Sequence, residues 1–430
     1  MHALTQDLFT FIEQSPTAFH AAENARRALE AAGFTGLLES EPWRLAPGRG
    51  YYVTRNQSSL IAFRTPEAPA GFLTGAAHLD SPCLKLKEHM ELRADGYTRL
   101  DAEKYGGMLM ATWLDRPLSV AGRLMAATPA GVRGILVNLS RDLLVIPSLA
   151  IHMDRESGNG KKLDFQQDMP PLLGLGEPEL LPLLAENAGV AAGDILSWDL
   201  YVYNRDRCTL LGPKEELILC PRLDDLQCAF ALLRGFLAAA PNREQAQVLA
   251  LFDSEEVGSQ TRQGALSTFL QDVLRRICLC LGLEEEQYLR CVAGSLMVSA
   301  DNAHGVHPAH PEKAALTNRP RPGAGVVVKY GPRYATDGPA AAIFRRILRQ
   351  AGIPEQVYFN HSDIPGGGTL GLLSGTQVSM HTVDVGCAQL AMHAALETGG
   401  EADTGYLSRA MEAFYVASLR ETGPEAFEVQ

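Results

Sequence analysis

Twelve residues, Val248-Leu-Ala-Leu-Phe-Asp-Ser-Glu-Glu-Val-Gly-Ser259, carry the densest chemistry in the chain. They open as an apolar run of strand length and end in three acids, a turn glycine and a serine. In open α/β sheets, strands deliver side chains to a site at their carboxyl ends. Adjacent residues of an extended chain point to opposite sides, so Glu255 and Glu256 can take two jobs. One carboxylate binds a cation while the other stands free to move protons. Alone, a Glu-Glu pair is a solvated acidic turn, and its company decides the matter. His78 with Asp80, Asp224 with Asp225, Asp301 and His393 add imidazole and carboxylate at other strand ends or turns. That mixture suits zinc, manganese or cobalt, and the lack of nearby thiolates argues against a structural zinc site. A binuclear site holds its ions about 3.5–4 Å apart and needs a carboxylate that bridges them. Each piece also has a plainer reading: Asp224-Asp225 caps a helix, Asp301 holds a turn, and His393 is a lone histidine.

The elements that must position these groups alternate along the chain. Helices are expected over Leu4–Glu13 and from Ser15 as N-cap, with Pro16 at the first helical position and Gly33 closing it. Strands follow at Tyr51–Thr54, Ser59–Phe63 and Gly71–His78. From Glu91 to about Leu217 the texture changes to many short β-like runs, with a Gly-, Lys- and Asp-rich loop over Ser157–Asp168. Strand–helix alternation then returns, with strands at Leu217, Val248, Gly294–Asp301, Val326–Lys329 and Val378–Asp384. Helices are expected at Gly338–Gln350, Gln389–Leu396 (carrying His393) and Tyr406–Leu419. The expectation is an α/β fold, a mostly parallel sheet flanked by helices, formed by residues 1–90 and 218–430. Residues 91–217 would form an inserted, mostly β module.

Composition narrows the function classes. A formal charge of −12 opposes an electrostatic nucleic-acid footprint. No uninterrupted apolar segment reaches transmembrane length, and the N-terminus does not read as a signal peptide. The eight cysteines lack Cys-x-x-Cys spacing, as expected of thiols in a reducing, cytoplasmic compartment.

The motifs in their order resemble the aspartyl aminopeptidase family of co-catalytic zinc metallopeptidases over almost the whole chain. The carriers are His78-Leu-Asp-Ser-Pro-Cys83, Tyr105-Gly-Gly, Thr112-Trp-Leu-Asp-Arg-Pro-Leu-Ser-Val-Ala-Gly122 and Ile146-Pro-Ser-Leu-Ala-Ile-His152. Further on stand Arg222-Leu-Asp-Asp225, Asp253-Ser-Glu-Glu-Val-Gly-Ser259, Ser299-Ala-Asp-Asn-Ala-His-Gly-Val-His-Pro308, Arg333-Tyr-Ala-Thr336, Ser362-Asp-Ile-Pro-Gly-Gly-Gly-Thr-Leu-Gly371 and Gln389-Leu-Ala-Met-His393. The resemblance implies two divalent ions, zinc first, with Asp224 bridging, His78 and Asp301 completing one ligand set, and Glu256 and His393 the other. Glu255 would be the general base, and Asp80 would orient His78. Lys329 matches a position facing an acidic N-terminal residue, and Gly366-Gly-Gly368 and His304 would contact substrate, with His307 and His310 in the same cavity. His152 would reach a metal or substrate in a neighbouring subunit. The family has arginine in place of His381, so the ligand is assigned to His393. Three departures stand out: Asp225 for asparagine, Asn302 for methionine and Ala388 for proline.

The resemblance also implies the chemistry. A metal-bridged hydroxide attacks the scissile carbonyl of a short peptide, Glu255 shuttles the proton, and one ion anchors the free α-amino group. Homo-oligomers, dodecamers built from dimers, are implied too, with the inserted module making the dimer contact. Two other readings are a dizinc carboxypeptidase or amidase on the same scaffold and a non-catalytic scaffold. The Trp113 and His152 motifs favour the aminopeptidase over the first. The second would be expected to lack Glu255 or a ligand, and all are present.

Overall fold

In the computed structural model, which describes residues 3–155, 160 and 162–430, two strands set the frame for everything else. Gly71–His78 and Gln245–Phe252 are buried at every position, as continuous apolar runs between two helical layers should be. They pair in parallel with His78 opposite Phe252. Their shared end therefore places the imidazole beside the acidic turn.

These strands lie in a nine-stranded mixed sheet ordered Thr35–Leu37, Gly50–Arg55, Ser59–Arg64, Gln245–Phe252, Gly71–His78, Leu296–Ala300, His381–Gly386, Val326–Lys329 and Glu355–Tyr358. The four central strands, from Gln245–Phe252 to His381–Gly386, run parallel. Antiparallel pairing enters on both sides, at Ser59–Arg64 and at Val326–Lys329. Alternation along each strand feeds two cores. Leu73, Ala77, Leu249 and Leu251 pack with helices Ala3–Glu13, Ala18–Ala31, Leu223–Ala238, Gly338–Gln350 and Asp403–Val416. Phe72, Ala76, Val248 and Ala250 pack on the opposite face with helix Phe269–Cys280.

A second, six-stranded antiparallel sheet takes its strands from Cys83–Ala94 to Ile195–Asn204 and has its own core around Trp113, Leu118 and Val202. Its first strand thus starts before residue 91. A third sheet is ordered Thr209–Leu211, Leu217–Cys220, Glu397–Gly400, Ala388–Leu390 and Ala303–His304. It ties the approaches to Asp224, His393 and Asp301 together.

Three local expectations fail. The second helix starts at Ala18 after Thr17, whose hydroxyl lies 2.8 Å from His20 Nδ1, while the Ser15 hydroxyl accepts from Asn24 Nδ2. Residues 389–396 are not a helix: Ala388–Leu390 pairs with Ala303–His304 and Glu397–Gly400, and turns follow. Of the polar loop at Ser157–Asp168, residues 157–159 and 161 lie outside the described residues. Its end forms a short helix, Phe165–Asp168, capped by Asp164. All eight cysteines are free thiols. Among the described residues no helix is long and apolar enough to cross a membrane.

Candidate metal centre

Five segments deliver side chains to one point. His78 ends its strand and Asp301 follows Leu296–Ala300. Glu255 and Glu256 sit in a single 3-10 turn bounded by Ser254 and Gly258, both at positive φ. Asp224 precedes the regular part of helix Leu223–Ala238, where Asp224 and Asp225 depart from helical angles around a cis peptide bond. His393 stands in a turn with φ of 68°.

The distances set the chemistry. His78 Nε2 lies 3.3 Å from Asp224 Oδ1, and His393 Nε2 lies 3.2 Å from Asp224 Oδ2 and 3.3 Å from Glu256 Oε1. Asp224 Oδ1 and Glu256 Oε1 are buried and accept no hydrogen bond. Two ligands on a tetrahedral zinc with bonds of about 2.0–2.1 Å stand about 3.3–3.4 Å apart. The spacing is therefore that of atoms sharing a cation, with one Asp224 oxygen turned to each histidine. Three ligand groups each keep their donor atoms within 4.8 Å: His78–Asp224–Asp301, His78–Glu255–Glu256 and Asp224–Glu256–His393. The donor set fits zinc.

Crowded, buried carboxylates hold their protons when no cation offsets them. Burial pushes Glu255 up to about 8 against the pull of His78, with Asp301 and Glu256 adding to the rise. Glu256 rises to about 7 for the same first reason, against His393. Burial also raises Asp301, against Lys329. His393 goes the other way: burial opposes its cation, yet Asp224 and Glu256 lift it to about 11.

The remaining predicted residues are placed as follows. The Asp80 carboxylate accepts from the backbone N–H groups of Glu255 and Glu256 at 3.1 Å each, and from the Tyr105 hydroxyl at 2.8 Å. His78 Nδ1 lies closer to the Asp80 carbonyl (3.0 Å) than to its carboxylate (3.4 Å). Asp80 thus clamps the acidic turn as much as it orients the imidazole. Lys329 is buried in the wall of the same pocket, and its ammonium points at the Asp301 carbonyl (2.7 Å), the Asn302 carbonyl (3.3 Å) and Asp301 Oδ2 (3.3 Å). His304 and Gly367 line this pocket and its neighbour, whereas Gly366 lines only the neighbour. A Cβ at Gly366 would run into the Asn360 amide. His152 is exposed in a turn and does not join the cluster within this chain. His381 packs against the Phe427 ring, away from the centre.

Sequence reasoning missed Glu397, which is buried with Oε2 accepting from Asp224 N (3.0 Å) and Oε1 from His393 N (2.6 Å). The available signal was an acid four residues past His393 in an otherwise apolar stretch. The departures are accommodated within the core. Burial pushes Asp225 well above the usual carboxylate range, and its Oδ2 accepts from the His78 amide at 3.2 Å. Asn302 donates to Leu223, Gln227 and Gln389.

Comparison with known proteins gives the family. The sequence profile of the aminopeptidase I zinc metalloprotease family, M18, matches residues 11–415. The chain belongs to the M18 family. A "Probable M18 family aminopeptidase 2" of Clostridium acetobutylicum is 38% identical to this M18 chain over 422 residues, covering 95% of it and 97% of that protein. The solved structure of Chaetomium thermophilum mApe1 is similar at 28% identity and a TM-score of 0.87, covering 96% of this chain and 97% of that one. The S. cerevisiae mApe1 dodecamer is similar at 26% identity and 0.84, covering 96% of each chain.

Proposed function

We propose that this M18 aminopeptidase removes acidic residues from the N-termini of short peptides at a two-zinc centre. The observation that carries the reading is Asp224, whose two oxygens face His78 and His393 at the spacing of shared-cation ligands. Asp224 would bridge the two ions, with His78 and Asp301 holding one and Glu256 and His393 the other. Bound zinc lowers the pKa of water and polarises a carbonyl. Glu255 lines the same pocket without an ion-pair partner among the described residues. Its carboxyl takes a proton from the attacking water and returns it to the leaving amine. Asp80 fixes the backbone from which Glu255 and Glu256 project.

The acidic preference is proposed to rest on Lys329. Its N–H groups are directed at Asp301 and Asn302, so it acts on an acidic side chain through its field in a water-poor pocket rather than by a direct hydrogen bond. The inserted module, residues 91–217, is proposed as the dimer contact of a cytoplasmic homo-oligomer, a dodecamer like S. cerevisiae mApe1, in which His152 reaches a neighbouring site. Residues 1–90 and 218–430 would then form the catalytic unit.

The test is release of the N-terminal residue from matched Asp-, Glu- and Leu-peptides by zinc-loaded protein, with Glu255→Gln alongside. Acidic peptides should turn over fastest, and the variant should lose about 10²–10⁴-fold in kcat while retaining zinc. Faster turnover of Leu would remove the acidic preference, and release from carboxyl ends would replace the aminopeptidase reading altogether.

A further inference from the structure

The pocket adjoining the metal centre has a basic wall. His304, His307, His310, His361, Lys313 and Asn360 line it, and among the described residues no Asp or Glu does. The chain as a whole carries a net charge of −12, yet this lining holds no carboxylate side chain. The pocket shares His304 and Gly367 with the one over the metal centre, so the two are continuous along that edge.

Hydrogen bonding sets what the wall offers. His307 Nδ1 accepts from Ala309 N and His361 Nδ1 accepts from Asp363 N, both at 3.2 Å. A neutral imidazole that accepts at Nδ1 carries its proton on Nε2, so each ring presents an N–H donor beyond its own loop. Asn360 accepts the Tyr358 hydroxyl at Oδ1, which leaves its NH2 to donate beside Gly366. Glu312 lies 3.3 Å from His310 Nδ1 and offsets part of that ring's charge, but it does not line the pocket. Lys313 adds a full positive charge. Converging N–H donors, one of them cationic, in a lining without a carboxylate side chain recognise a carboxylate.

We propose that this pocket is the subsite for a carboxylate on the leaving part of the peptide, the free C-terminus of a short one. The proposal rests on the aminopeptidase reading above. Its direction follows from exposure: Lys329 is buried deep on the metal side, while His307, His310 and Lys313 stand at the solvent side. The N-terminal residue belongs in the closed end and the leaving peptide in the open one.

The experiment compares kcat/KM for Asp-Ala-Ala as the free acid and as the C-terminal amide, using zinc-loaded parent and His307→Ala/His361→Ala. The acid-to-amide ratio cancels any general loss of activity in the variant. The parent should favour the acid by roughly tenfold or more, the scale of one charge-assisted hydrogen bond, and the variant should bring the ratio close to one. Equal rates in the parent, or a ratio that survives in the variant, would overturn the proposal. So would a variant that loses only the Asp-over-Leu preference at the N-terminus, since the carboxylate would then be that residue's own. If the parent cleaves neither peptide, the aminopeptidase reading fails, and calorimetric titration with succinate decides the pocket by itself. Heat of binding lost in the variant supports a carboxylate site, and no binding to the parent rejects it.

Discussion

Glu397 is a positioning residue, because it holds the backbone beneath two proposed ligands that come from distant parts of the chain. One oxygen takes the Asp224 amide and the other takes the His393 amide. His393 needs this support: its φ of 68° is a left-handed conformation that a non-glycine residue keeps only when its surroundings impose it. Glu397→Gln preserves shape but turns an NH2 group toward one of those amides, leaving a buried N–H unsatisfied, at a cost of about 1–3 kcal/mol. Zinc affinity should fall about 10–100-fold, the usual effect of disturbing groups behind metal ligands. Competition against a chromophoric chelator measures this without reference to turnover. Unchanged affinity would mean that His393 holds its turn by itself.

At the scale of elements, the centre depends on strands that approach more closely than side chains allow. A Cβ at Gly386, at the end of strand His381–Gly386, would collide with the Asp301 carbonyl. Gly386→Ala must therefore push Asp301 out of line with His78 and Asp224. Overpacking of this kind costs about 1–3 kcal/mol, so thermal unfolding should shift down and zinc binding should weaken together. A variant that unfolds early yet binds zinc as before would separate the strand contact from the site. The same elements explain what the sequence made legible. Gly71–His78 and Gln245–Phe252 were readable because both faces are buried and nearly every residue is apolar, and their ends pointed to His78 and Glu255. Strand Ala388–Leu390 was not readable. Its Ala-Gln-Leu-Ala-Met-His-Ala-Ala-Leu surroundings suit a helix, and only pairing with Ala303–His304 and Glu397–Gly400, far away or yet to come in the chain, makes it a strand. The Ser15 cap failed for a similar reason: Ser15 spends its hydroxyl on Asn24. Glu397 escaped notice because a buried acid between apolar neighbours has no signature until its two amide partners converge.

For the molecule as a whole, the buried acids tie stability to pH and to metal in opposite ways. Burial lifts Glu255 and Glu397 to about 8, and Glu256, Asp253 and Asp403 to about 7. Between about pH 4.5 and 8 the folded, metal-free chain therefore binds more protons than the unfolded one, and its stability falls as pH rises through that window. His393 acts with the same sign. Its folded value of about 11 contributes fully below the ordinary 6.5 and is lost as pH climbs toward 11. Asp224, held below its ordinary value by His393 and His78 in spite of burial, contributes throughout this range and does not alter the slope. Each extra bound proton changes stability by about 1.4 kcal/mol per pH unit. Zinc opposes the trend, because its ligands must be deprotonated carboxylates and neutral imidazoles. In the presence of a chelator, Tm should drop by several degrees between pH 5.5 and 8. With zinc in excess the drop should shrink, and the gap between loaded and metal-free protein should widen with pH. A gap that stays constant would mean that protons and metal do not compete for these side chains, and the cluster at Asp224 would then have to be explained without a cation.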